Sequence, residues 1–163
     1  MVVPSRVEEA SKIRKIVGAL SRLNGFDKDE VDGIEVAVGE AMANAVRHGS
    51  PKGAHDTVEV SFRHHDQKYL EVIVADHGPG FDLPSRLASI DPLTMDEGQR
   101  GLLLISALMD EVIYTSGARG GVLCMRKYYR NQARDYGSNA PGVALQMNDS
   151  MNSLSYPGRC GAA

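Results

Sequence analysis

The feature that most limits what this chain can fold into is a change of hydrophobic period at Gly49-Ser50-Pro51. Before that break apolar residues recur at helical spacing; after it they alternate, as strands do. From Ser5 to Leu23, the residues Val7, Ala10, Ile13, Val17 and Leu20 form one stripe, with Glu8, Glu9, Lys12, Arg14 and Lys15 off it, which predicts an amphipathic helix. Asn24-Gly25 supplies a stop signal. Asp27, with Glu30 three residues on, has the form of a capping box that opens a second helix. Val31, Ile34, Val38, Ala41 and Ala45 carry that helix to about His48.

Beyond the break, Val58, Val60 and Phe62 alternate with Glu59 and Ser61, the pattern of a half-buried strand. A turn at Asp66-Gln67 leads to a second strand from Leu70 to Ala75, an almost continuous apolar run. Residues 81–97, broken by Pro84 and Pro92, read as a long loop, and loops of that length are usually functional. Leu102 to Met109 is expected as a short helix, and Val112 to Thr115 and Val122 to Lys127 as two further strands about the turn Ser116–Gly120. This order predicts an α+β fold: a two-layer sandwich with helices on one face of a mainly antiparallel mixed sheet.

One domain of this kind, residues 1–130, suits a chain of 163 residues. From Asn131 the composition turns to Asn, Gly, Ser, Pro and Ala without periodicity, so 131–163 are expected to form a poorly ordered tail. The formal net charge of -3 argues against a nucleic-acid-binding surface, which needs a basic excess to displace counterions. Cys124 and Cys160 are the only cysteines, too few for a disulfide framework and consistent with a reducing compartment. No apolar run approaches the ~20 residues a membrane helix needs. The opening Met-Val-Val-Pro-Ser lacks the pattern of a signal peptide, so a cytoplasmic location is expected, with no membrane partner.

Three segments carry chemistry. Glu40 and Asn44 stand four apart on the second helix and share a face. The amide oxygen of Asn44 can serve Mg²⁺, a hard cation that takes few protein ligands, and Glu40 can accept a proton from an attacking hydroxyl or water. A solvated helix face would look the same, although Gly39, Ala41, Ala43 and Ala45 leave room for a bulky group to approach. Asp76-His-Gly-Pro-Gly80 follows directly on the buried strand. Asp76 can present an acceptor to an exocyclic amine, while Gly78 and Gly80 permit close backbone approach; an ordinary turn is the plain alternative. Gly98-Gln-Arg-Gly101 leads into the apolar helix from Leu102, where free N–H groups can hold an anion, with Arg100 beside it. Arg47, near the end of the second helix, can reach a phosphate, whereas His48 reads as a helix terminator. His55, His64 and His65 have no partners at metal-ligand spacing, so no zinc site is expected.

Taken together, residues 40–49, 76–82 and 98–105 resemble the N, G1 and G2 boxes of the GHKL (Bergerat-fold) ATP-binding superfamily. Within it the chain is most similar to the anti-sigma-factor serine/threonine kinases, and Ala-Leu-Met-Asp-Glu-Val at 107–112 extends the likeness. The resemblance implies ATP and Mg²⁺ as cofactors, Glu40 as catalytic base, Asn44 as the metal ligand and Asp76 as the adenine reader. It further implies a pocket shaped by Gly78, Gly80, Gly101 and Leu102, phosphate contacts from Arg47 and Arg100, and an ATP lid over residues 83–97. Its partners would be a STAS-domain anti-anti-sigma protein as substrate and a sigma factor held by a homodimer. Two features depart from the family: Gly120-Gly121 stands where a Gly-Thr pair is usual, and the N-terminal strand is reduced to Val2-Val3 before Pro4. A non-catalytic ATP-gated binding module and a histidine-kinase-like catalytic domain are the other functions such a site could serve.

Overall fold

The computed structural model describes residues 1–65, 68–80 and 97–130. Strand β1 (Val2–Pro4) leads into helices α1 (Val7–Leu23) and α2 (Lys28–His48). A short 3-10 turn, Gly53–His55, precedes the hairpin of β2 (Thr57–His65) and β3 (Tyr69–Ala75). Helix α3 (Glu97–Leu108) and the hairpin of β4 (Glu111–Gly117) and β5 (Gly120–Tyr128) complete the domain. The strands form one sheet in the order β1-β2-β3-β5-β4, and each of its four pairings is antiparallel. Placing β5 between β3 and β4 brings the end of β3 beside the start of β5, where the site lies.

Helix α2 packs between α1 and α3 and lies over β2 and β3. Its expected stripe is the centre of the core: Val31, Ile34, Val38, Ala41 and Ala45 are all buried, joined by Ala37 and Met42. Its start is fixed as the sequence predicts. The Glu30 backbone N–H donates to Asp27 Oδ1 at 3.0 Å, and the Asp27 N–H donates to Glu30 Oε2 at 2.9 Å. Helix α1 begins two residues later than expected, and Val7, outside the core stripe of Ile13 and Val17, is 69% exposed.

The apolar run of β3 has a simple cause. Leu70, Val72 and Val74 join the helix-side core, while Ile73 packs with Ile113 and Cys124 in a smaller cluster on the opposite face of the pleat. Strand β2 continues past Phe62 to His65 because β3 offers partners as far as Tyr69. Helix α3 starts at Glu97 rather than at Leu102, so the stretch Gly98–Gly101, expected as a loop, is helical. Glu97, Gln99 and Arg100 are good helix formers and no proline intervenes, which outweighs the cost of about 1 kcal/mol for each glycine. The expected lid, apart from Glu97, and the expected tail 131–163 lie outside the described residues.

Candidate active site

The end of α2, the end of β3, the start of α3 and the inner rows of β4 and β5 enclose a cavity of about 420 Å³. Asn44, Arg47, Asp76, Gly80 and Leu102, all anticipated from the sequence, line it. Its apolar walls come from Val74, Leu123 and Leu102.

Asp76 is held from several sides. Its backbone N–H donates to the Gly121 carbonyl at 2.9 Å, extending the β3–β5 ladder one residue past the strand. Oδ1 accepts from the N–H of Gly78 at 2.8 Å and of Gly121 at 3.2 Å. One carboxylate oxygen is thereby committed to the backbone, and the side chain cannot swing. A Cβ on Gly49 would overlap the Asp76 side chain and stand 2.6 Å from Oδ2. The Gly49 carbonyl also accepts from the His77 N–H at 3.0 Å. Gly120 has a φ of 126°, open to glycine alone in practice, and a Cβ there would overlap the Asp76 carbonyl. Gly78 packs behind Asp76 rather than on the cavity wall: its Cβ would lie 2.6 Å from the Gly49 Cα and 2.7 Å from the His48 carbonyl.

On α2, Glu40 and Asn44 face α3. A Cβ on Gly101 would lie 2.6 Å from Glu40 Oε2 and 3.5 Å from Asn44 Nδ2. Glycine at 101 is what allows the two helices to come this close. Glu40 thus lies between α2 and α3, one helical turn before Asn44, and is not itself part of the cavity wall. The stretch 98–101 lies inside α3 and not in a loop before it. Arg100 is exposed on α3 and is not part of the cavity wall.

Sequence reasoning did not find every lining residue. His48, read as a helix terminator, lines the cavity, as do Gly49 and Tyr114. His48 and Gly49 sit within the 40–49 segment and could have been taken with it. Tyr114 carries no local signal, since it reaches the cavity from β4, beyond β5.

A family model described as the histidine kinase-like ATPase domain matches residues 3–127. The chain belongs to that family. The expected GHKL membership and the α+β sandwich are thus borne out. The serine-protein kinase RsbW of Bacillus subtilis (strain 168) is 32% identical over 143 residues, 83% of this chain and 88% of its own length. RsbW of Bacillus velezensis is 32% identical over 145 residues, covering 85% and 89% respectively. Among solved structures, the histidine kinase domain of the blue-light activated histidine kinase of Erythrobacter litoralis superimposes with a TM-score of 0.51 at 19% identity. That match covers 81% of this chain and 64% of the other, and it shows the fold alone. As a member of the ATPase family, the chain offers a cavity suited to an ATP-sized ligand. The fixed Asp76 carboxylate and the Asn44 amide both stand on its wall, and glycines stand where side chains would obstruct.

Proposed function

We propose that this chain is an ATP-dependent serine/threonine protein kinase and anti-sigma factor, which phosphorylates a STAS-domain anti-anti-sigma protein and sequesters a sigma factor. The observation that carries this reading is the placement of Glu40 against Gly101, one helical turn before Asn44, which lines the same cavity as Asp76. A pure binding module has no need of a carboxylate base at that point. Identity of about a third to serine-protein kinases, over more than four-fifths of the chain, supports the same activity.

In this reading ATP, with Mg²⁺, supplies the phosphoryl group when bound. Asp76 accepts the exocyclic amine of adenine through the oxygen that the backbone leaves uncommitted. Gly80 lets the chain turn close to the base, Gly78 supports Asp76 from behind, and Leu102 covers the base. Asn44 offers its amide oxygen to the cation, and Arg47 and Arg100 neutralise phosphate charge, one from the wall and one from α3. Glu40 orients the serine or threonine hydroxyl of the partner and takes its proton as the new bond forms. Positioning and charge neutralisation are most of what phosphoryl transfer asks of a protein. A homodimer would cover apolar side chains exposed on β1 and at the start of α1, namely Val2 and Val7. The cytoplasm is where such a kinase would meet its sigma factor.

The test is phosphotransfer from ATP to a STAS-domain protein of the same genome, run beside calorimetric ATP titration. Glu40→Gln is expected to bind ATP nearly as the wild type does and to transfer phosphate at a rate lower by about tenfold or more. Equal transfer by the variant would remove Glu40 from the role of base.

A further inference from the structure

Gly121 has ordinary extended backbone in β5, a conformation that any residue adopts. Space, not conformation, excludes a side chain there. A Cβ on Gly121 would overlap the Tyr114 hydroxyl and stand 3.1 Å and 3.2 Å from two carbons of its ring. Tyr114 pairs in register with Leu123, so its side chain leans along the sheet from that row toward Gly121. The same hydroxyl comes within 3.4 Å of the place a Gly80 Cβ would take. Gly121 therefore serves two neighbours at once: its N–H holds Asp76 Oδ1 at 3.2 Å, and its bare α-carbon makes room for the phenol. Tyr114 and Asp76 thus border the same residue on the same cavity wall.

That juxtaposition has a chemical meaning. An ionised carboxylate only accepts, whereas a phenol can donate. The Watson–Crick edge of adenine presents an amine, which donates, beside the ring nitrogen N1, which accepts. One acceptor and one donor side by side match that edge; the guanine edge reverses both. We propose that Tyr114 is a base-reading residue of this cavity, its hydroxyl donating to the ring nitrogen adjacent to the amine that Asp76 accepts. The proposal rests on the nucleotide reading above and adds to it a second specificity determinant.

The experiment is calorimetric titration of the full chain with ATP and with 1-deaza-ATP, which keeps the amine and lacks the ring nitrogen. The wild type is expected to bind the analogue about threefold to tenfold more weakly, the usual worth of one neutral hydrogen bond. Tyr114→Phe is expected to lose a similar factor for ATP and to treat the two nucleotides alike. Gly121→Thr, whose side chain collides with the phenol, should weaken ATP by about tenfold or more. Tyr114→Phe binding ATP as the wild type does, and still discriminating, overturns the proposal. So does equal wild-type affinity for the two nucleotides, an arm that needs no variant to fold. A wild type that binds no ATP at millimolar concentration removes the nucleotide reading itself, so the two failures are distinguishable.

Discussion

Arg126 shows how the face of the sheet away from the cavity is held. Its Nε lies 2.9 Å from Glu71 and its Nη1 3.0 Å from Glu111, with the guanidinium 5.0 Å from the centre of the Tyr69 ring. Burial alone would lower the guanidinium pKa, but the hydrogen bonds to Glu71 and Glu111 outweigh it and hold the group above its ordinary value. Glu71 is only 2% exposed. Without Arg126 the nearest basic groups among the described residues are Arg63 at 3.9 Å and the His65 ring at 3.6 Å, both longer and more exposed contacts. Arg126→Met is therefore expected to cost about 3 kcal/mol, since a buried carboxylate is left behind. Urea unfolding followed by circular dichroism reads the loss, and adding Glu71→Leu should recover much of it. An unshifted urea midpoint for Arg126→Met would mean that Arg63 and His65 suffice for Glu71. ATP affinity should not change, because the network lies on the side of the sheet that faces away from α2 and α3.

The junction between α2 and β3 is where an element boundary becomes part of the site. Gly49 caps α2 with a φ of -92°, which demands no glycine. Contact demands it, because a Cβ would enter the Asp76 side chain. Gly49→Ala should lower stability by about 1–3 kcal/mol and displace Asp76, weakening ATP. Gly39→Ala is the matched control on the same helix, since its Cβ would meet only Arg14 Cδ at an ordinary 3.6 Å. It should raise stability by about 0.5–1 kcal/mol, as loss of a mid-helix glycine does. Parallel urea and ATP titrations of the two variants check this, and similar behaviour would remove Gly49 from the site. The contrast also marks what could be read in advance. The Asp27–Glu30 box and the buried stripe of α2 were legible because each is a relation among residues a few positions apart. So was Asp76, announced by the buried strand before it. The start of α3 was misplaced because glycine reads as loop unless its neighbours are weighed. Gly49 against Asp76, and Tyr114 against Gly121, depend on strand order, which no local pattern encodes.

At the scale of the whole molecule, the change of period at Gly49-Ser50-Pro51 dictated two layers, and the order β1-β2-β3-β5-β4 dictated where they part to leave a cavity. Five elements spread along the sequence, α2, β3, α3, β4 and β5, contribute walls. They come together only in the folded chain, so a ligand of this cavity binds the native state and not the unfolded one. Linkage then fixes the size of its effect: at a free concentration of about 100 times Kd, binding adds about 2.7 kcal/mol. For a domain of this size that corresponds to a rise in Tm of roughly 10 °C. Asp76→Asn should abolish most of the rise while leaving the fold intact, because the amide oxygen still accepts from the N–H groups of Gly78 and Gly121. Arg126→Met should begin from a lower Tm and keep the full rise, since the outer face does not touch the cavity. Differential scanning calorimetry of the three chains with and without Mg-ATP separates the cases. A rise that persists undiminished in Asp76→Asn would place the nucleotide elsewhere on the molecule. Loss of the rise in both variants would mean that the two faces of the sheet are coupled through β3 and β5.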